Sequence, residues 1–228
     1  MTKRRTTSTS SDGLPPTEQV IASIDPLPSD PNTRRVRVGR RTVARLPAPT
    51  IEALGLRIGQ RWTLRLAERV DGAAAELAAH REAMRLLSRS AMSSSRLGER
   101  LTARGHAAPL VRRVLETLLE QGWLDDAAFA DSVAASARRR GPIAPSVLAA
   151  RLRERGVAPK VAQAAAERHG VSGTDEAAAL VQKLLPRQRG TPLQIARRLA
   201  ATLARRGFDD GTIAAALRRS DLPVDSDG

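Results

Sequence analysis

Leu97-Gly98-Glu99-Arg100-Leu101-Thr102-Ala103-Arg104-Gly105 comes back twice in this chain. Its two leucines and final glycine recur as Leu148, Leu152 and Gly156, then as Leu199, Leu203 and Gly207, each time 51 residues on. Leucines four apart share one face of a helix, and a glycine four positions later ends such a helix in the left-handed conformation. A further apolar helix follows each glycine, around Val111 to Leu119, Val161 to Ala166 and Ile213 to Leu217. Another helical stretch precedes each leucine pair, over 75–89, 126–140 and 175–187. The spacing therefore predicts an all-α fold: an elongated array of three tandem three-helix repeats, longer in period than two-helix solenoids. Each unit covers part of its apolar face with its neighbour, which gives an extended surface and no deep pocket.

Working outward, the helical pattern is continuous after Asp71 and Gly72. Ala79, Ala83, Leu86 and Leu87 make one apolar stripe, and Val111, Val114, Leu115, Leu118 and Leu119 make the next, closed by Gly122. Arg112 and Glu116 supply an exposed pair one turn apart. Pro142, Pro145 and Pro192 stand near the starts of middle helices, and Thr191-Pro192 reads as an N-cap followed by a first-turn proline. Upstream, Val36 and Val38 alternate with Arg35 and Arg37, Val43 follows, and Trp62, Leu64 and Leu66 alternate with Thr63 and Arg65. These read as two or three short strands, with a helix over Ile51 to Leu54 between them, capped by Thr50 and ended by Gly55. Residues 1–33, rich in Ser, Thr, Pro and Asp, are expected to be disordered. The expected organisation is a tail over 1–33, a small basic β-containing region over 34–71, repeats over 72–124, 125–173 and 174–220, and an acidic disordered tail over 221–228.

The chain has 228 residues and a formal net charge of +14. Residues 1–70 hold +7 of it and residues 138–220 hold +11, whereas 71–137 are near neutral at −1 and 221–228 carry −3. Compositional bias alone would spread the charge more evenly, so the two basic blocks are candidate contact surfaces for an anionic partner. The absence of cysteine removes disulfides, thiolate metal sites and cysteine nucleophiles. No run of eighteen apolar residues exists, and the N-terminus lacks the apolar stretch of a secretory signal, so no membrane contact and a cytoplasmic location are expected.

Gly122-Trp123-Leu124-Asp125-Asp126-Ala127-Ala128-Phe129-Ala130 is the most distinctive local string. With Asp125 as N-cap, Asp126 enters the positive first turn, and Leu124 meets Phe129 as a hydrophobic staple. Phe208-Asp209-Asp210-Gly211-Thr212-Ile213 repeats the arrangement, with Phe208 against Ile213. The echo favours a structural role for Gly122, Leu124, Asp125, Asp126 and Phe129 over catalysis or metal binding, since adjacent carboxylates at a helix start point in different directions. His80, His106 and His169 are scattered, and Gly55-Leu56-Arg57-Ile58-Gly59 lacks the ending a nucleotide loop needs. No enzyme activity, cofactor, metal or small-molecule substrate is expected.

The basic clusters Arg138-Arg139-Arg140, Arg151/Arg153/Arg155, Arg187/Arg189, Arg197-Arg198 and Arg205-Arg206 recur near helix ends. Cations there are favoured by the helix dipole alone, which leaves a solvated structural role open for each; their recurrence points to a shared binding face. If six neutralised phosphates, affinity for DNA would fall with a log–log salt slope of about −5. Trp62, Trp123, Phe129 and Phe208 are the only aromatic residues, too few for a base-stacking platform, so DNA contact is expected at the backbone with little sequence preference.

Ala83 to Leu87 followed by Arg89, then Leu97-x3-Leu101-x3-Gly105, then Leu115-x2-Leu118-x3-Gly122-x-Leu124-Asp125-Asp126-x2-Phe129-Ala130, is similar to the core of the RecX family. Arg140-Gly141-Pro142-Ile143 and Leu148-x3-Leu152-x3-Gly156-Val157 continue the resemblance, which covers residues 72–220. The chain departs from the family at Arg96, where an acidic residue is usual, and at Ser90-Ala91-Met92-Ser93, where the family has a basic-serine stretch. The resemblance implies a regulator of DNA recombination, repair and the SOS response that binds RecA recombinase filaments on DNA and limits their growth, ATPase and recombinase activity. A monomer is expected. The alternative is a general nucleic-acid-binding helical-repeat protein acting through phosphate contacts; a small enzyme of unseen type is disfavoured by an array without an evident pocket.

Overall fold

The computed structural model describes residues 19–224. The chain is mostly helical, with one three-stranded antiparallel sheet, and divides into two compact units, one through Met84 and one from Arg85.

In the first unit, β1 (Ile21–Leu27), β2 (Asp30–Val38) and β3 (Arg41–Pro47) form a meander in chain order. The hairpin between β2 and β3 closes through Gly39 and Arg40, with Gly39 at φ +54° supplying the left-handed turn residue. Helix α1 (Ala48–Leu54) follows, then α2 (Leu64–Leu87). Ile21, Val36, Leu46 and Val70 are fully buried in one core, joined by Ile51, Leu56 and Leu66. Each such side chain contributes roughly 1.5–3 kcal/mol relative to its exposed state.

Four expectations are corrected here. The sheet begins at Ile21, so the disordered reading of residues 1–33 fails from that point; its first 18 residues lie outside the described residues. Trp62, Leu64 and Leu66 do not make a strand. Thr63 accepts the Leu66 N–H at 3.2 Å and starts α2, because Leu66, Val70, Ala73, Ala74 and Leu77 supply a longer helical stripe against the same core. The boundary expected at residues 71 and 72 falls inside α2, where Gly72 is simply an exposed helical position. Thr50 is inside α1, which begins after Pro47; Gly55 ends it at φ +65° as expected. Residues 225–228 of the acidic tail lie outside the described residues, and 221–224 form no further element.

The second unit consists of helices α3 (Ser94–Ala103), α4 (Ala108–Glu120), α5 (Asp126–Arg139), α6 (Pro145–Glu154), α7 (Pro159–His169), α8 (Thr174–Leu184), α9 (Pro192–Ala204) and α10 (Asp210–Arg218). A 3-10 turn at Leu185–Arg187 leaves α8. Leu97, Leu101, Leu148, Leu152, Leu199 and Leu203 are all essentially inaccessible to solvent. One core joins Ala130, Ala134, Leu148, Leu152, Ala162 and Ala165 from α5, α6 and α7; another joins Ala177, Val181, Leu199, Leu203, Phe208, Ile213 and Leu217 from α8, α9 and α10. Gly105, Gly156 and Gly207, which leave α3, α6 and α9, have φ of +90°, +80° and +85°. These are the left-handed stops that the repeated glycine demands.

Candidate functional site

Helix ends place the arginines. Arg138 and Arg139 occupy the last turn of α5 and Arg140 its C-cap; Arg151 and Arg153 occupy the last turn of α6 and Arg155 its C-cap. Arg187 closes the 3-10 turn and Arg189 lies in the loop beyond it, Arg197 and Arg198 are on α9, and Arg205 is its C-cap. All eleven are exposed. Among the described residues, Arg138, Arg139, Arg140, Arg151, Arg153, Arg155, Arg187, Arg189 and Arg205 make no ion pair with a carboxylate. Arg198 donates to the Arg189 carbonyl across the exposed loop before α9, and Arg205 reaches Thr202 Oγ1 at 3.3 Å.

Arg206, grouped with these by sequence, has a different place. It is partly buried, and it donates to the Pro142 carbonyl at 2.8 Å and the Arg140 carbonyl at 3.2 Å, while its own carbonyl accepts the Ala144 N–H at 2.8 Å. Burial, followed by the charge of Arg151, lowers its pKa from the usual arginine value. Arg140, Arg151 and Arg206 therefore gather around the turn that leads from α5 into α6. A β-carbon on Gly141 would lie 2.8 Å from Arg206 Nη1, so the glycine makes room for the guanidinium.

The paired aspartates serve two different helices. Asp125 caps α5, accepting the N–H groups of Ala127 at 2.9 Å and Ala128 at 2.8 Å. Asp126 instead holds the start of α3, accepting Ser94 N–H at 2.7 Å and Ser94 Oγ–H at 2.6 Å. Ser93, fully buried, accepts Arg96 N–H at 3.3 Å and donates to the Arg155 carbonyl at 2.8 Å. A β-carbon on Gly156 would sit 2.7 Å from Ser93 Oγ, and one on Gly207 would sit 2.9 Å from Ala144 Cβ and 2.5 Å from Val147 Cγ2. The N-cap of α3 thus meets the C-terminal end of α6 as the N-cap of α6 meets that of α9. The sequence reading missed these junctions; the available signal was the serine pair before α3 and the glycine spacing. The Ser90 to Ser93 departure noted above falls on this turn, and Ser93 is used there.

Leu124 is buried and Phe129 packs into the α5–α7 core, while Gly122 ends α4 at φ +73°. Phe208 and Ile213 share one core. Asp131 on α5 accepts Arg168 at 2.7 Å and lies 3.2 Å from His169 Nε2, and the Arg168 hydrogen bond holds its carboxyl below the usual range. A groove of about 520 Å³ between α9 and α10 is lined by Leu193, Ala196, Ala200, Ile213 and Leu217, with Arg197 and Asp210 as its charged groups. Among the described residues no cluster of metal-ligand type is found, and no helix is long and apolar enough to cross a membrane.

Residues 125–165 match the family model described as RecX, second three-helix domain. A protein of Mycobacterium sp. (strain JLS) named Regulatory protein RecX is 36% identical over 150 residues, 57% of this chain and 74% of that protein. One of the same name from Xanthomonas axonopodis pv. citri (strain 306) is 31% identical over 136 residues, 60% of this chain and 83% of that protein. Among solved structures, a crystal structure of regulatory protein RecX matches with a TM-score of 0.69 at 16% identity, covering 85% of this chain and 96% of the other, a likeness of fold.

Proposed function

The chain belongs to the RecX family of regulatory proteins, and on that premise we propose that it binds RecA filaments on DNA and restrains their growth, ATPase and recombinase activity. The observation that carries this reading is the set of exposed arginines at the ends of α5, α6 and α9 that no carboxylate neutralises. An unpaired cation on the last turn of a helix is already oriented outward, and a repeated row of them offers an extended anionic partner several contacts at once. Arg138, Arg139, Arg140, Arg151, Arg153, Arg155, Arg187, Arg189 and Arg205 form that face, with Arg197 and Arg198 beside them on α9 as further members that do not depend on being unpaired; Arg206 serves as the brace beneath it.

The same proposal takes α2–α4, α5–α7 and α8–α10 as three tandem copies of one three-helix unit. Two junctions 51 residues apart, Ser93 with Arg155 and Ala144 with Arg206, support the tandem reading. A protein so built works as a binding surface, in the cytoplasm where the filament forms, and needs no cofactor.

The decisive experiment is DNA-dependent ATP hydrolysis by RecA on single-stranded DNA, titrated with this protein below RecA stoichiometry, beside its binding to the same DNA alone. Inhibition where bare-DNA binding is negligible is expected. Inhibition that appears only when the DNA is saturated would replace this reading with a general nucleic-acid-binding protein. Charge reversal at Arg138, Arg139 and Arg140 is expected to weaken filament binding with helicity unchanged, and unaltered binding would remove that cluster from the face.

A further inference from the structure

The sheet of the first unit carries a second, separate set of cations. Arg35 and Arg45 stand directly opposite each other on β2 and β3, and Arg37 lies two residues along β2 from Arg35. Side chains alternate across a strand, so these three share the face opposite Val36, Val38, Ala44 and Leu46, which are buried in the core. The neighbouring strand offers one carboxylate, Asp25, the register partner of Arg35. It accepts Ser23 Oγ–H at 2.7 Å, and among the described residues it makes no ion pair with Arg35.

Two features of this face oppose stability when nothing covers it. Like charges directly opposite in a sheet repel. Arg35 Nε is buried without a hydrogen-bond partner, although it is a strong donor. Arg37 uses one N–H on the Arg40 carbonyl at 3.3 Å and keeps the rest of its fork. With Arg35 and Arg45 opposed across the strands, Arg37 beside them and, among the described residues, no carboxylate ion-paired to any of the three, this face concentrates positive charge for an anion brought from outside.

We infer that this face binds the phosphate backbone of single-stranded DNA. The cations form a strip two strands wide and two residues long, about 5 Å by about 7 Å. Such a strip follows one phosphate chain, whereas the two backbones of a duplex lie about 12 Å apart across the major groove. Trp62 packs into the core beneath the opposite side of the sheet, so no aromatic ring is available for stacking here, and binding is indifferent to base. The inference does not depend on the filament reading; it requires only the anionic chain.

The test uses the full-length protein and a labelled oligothymidylate, with affinity followed from about 50 to 200 mM salt. The variant R35Q/R37Q/R45Q is expected to bind roughly a hundredfold more weakly at about 0.1 M salt, with the log–log slope shallower by about 2. Its melting temperature should hold or rise, since cross-strand repulsion is relieved, which separates lost contact from lost fold. R57Q/R61Q/R65Q removes the same charge from exposed positions outside β1, β2 and β3 and is expected to retain the wild-type slope. An unchanged slope in the first variant, or an equal loss in the second, overturns the site. An equal loss on duplex DNA overturns the single-backbone assignment, and tighter binding to polyglutamate than to the oligonucleotide reassigns the face to an acidic protein segment. RecA ATPase inhibition, measured on the same preparations, fails or survives independently: loss of oligothymidylate binding in the triple variant upholds this site even if wild-type protein leaves RecA untouched.

Discussion

The two junctions within the helical unit meet one geometric demand with different chemistry. Where α3 meets α6, a buried serine hydroxyl donates to the Arg155 carbonyl and Asp126 secures the neighbouring residue. Where α6 meets α9, the backbone N–H of Ala144 donates to the Arg206 carbonyl, and the Arg206 guanidinium braces the turn from below. A carbonyl just past the last turn of a helix needs a donor in both places, and any well-placed N–H or O–H suffices. The glycine that follows is less replaceable. At Gly156 the start of α3, and at Gly207 the start of α6, lies where a side chain would be, whereas Gly105 faces open space.

That difference sets the largest expected effects. Substituting each glycine by alanine strains a left-handed residue by about 1–2 kcal/mol. Gly105→Ala should show that cost alone, since a β-carbon there meets nothing within 4 Å. Gly156→Ala adds a clash with Ser93, and Gly207→Ala adds clashes with Val147 and Ala144, raising the loss to about 3 kcal/mol or more. Urea unfolding of the three variants would sharpen the comparison by this order; equal losses would break it, leaving backbone conformation as the glycines' sole role.

The donors come next. Arg206→Ala removes two charge-assisted hydrogen bonds and should cost about 2–3 kcal/mol, against about 1–2 kcal/mol for Ser93→Ala. Reversed magnitudes would mean that the polar junction, and not the braced one, carries more of the stability. Arg206→Lys should recover only part of the loss, because an ammonium cannot reach both carbonyls as a fork does.

The smallest effect is in acid. Thr212, through its backbone N–H and then its hydroxyl, holds Asp209 below the usual carboxylate range, and Arg168 does the same for Asp131. A carboxyl with a depressed folded pKa adds stability above its unfolded value of about 3.9, and that increment disappears as pH falls through the lower folded value. Melting curves of Asp209→Asn and Asp131→Asn should therefore lie below wild type at neutral pH and converge with it in acid. A gap that stays constant with pH would assign both side chains a packing role only.

Much of the helical unit is legible because its signals are local. The Leu97, Leu101 and Gly105 spacing, the Asp125 and Thr191 caps and the Phe208–Asp209 echo each act within a few residues, and each appears where the pattern places it. The start of the sheet is less legible for an equally physical reason. Register shifts between Ile21 and Ser23 and between Pro26 and Leu27 break the period-two alternation in β1, so Ile21 and Ile24 serve one core at a spacing no simple strand shows. Trp62 to Leu66 misled because three alternating positions fit both periods, and only the stripe continuing through Val70 to Leu77 decides for a helix.

By itself the sequence determined the helix count and order in the second unit, the glycine stops, the apolar faces and the concentration of arginine at helix ends. These depend on propensity, periodicity and capping, which act over a turn or two. Only the tertiary structure decided that Asp126 belongs to α3 although it begins α5, and that Arg206 is a brace while Arg205 is free of the turn beneath. Both distinctions depend on which backbone groups a distant segment leaves in need of a partner, and chain spacing carries no information about that until the helices have packed.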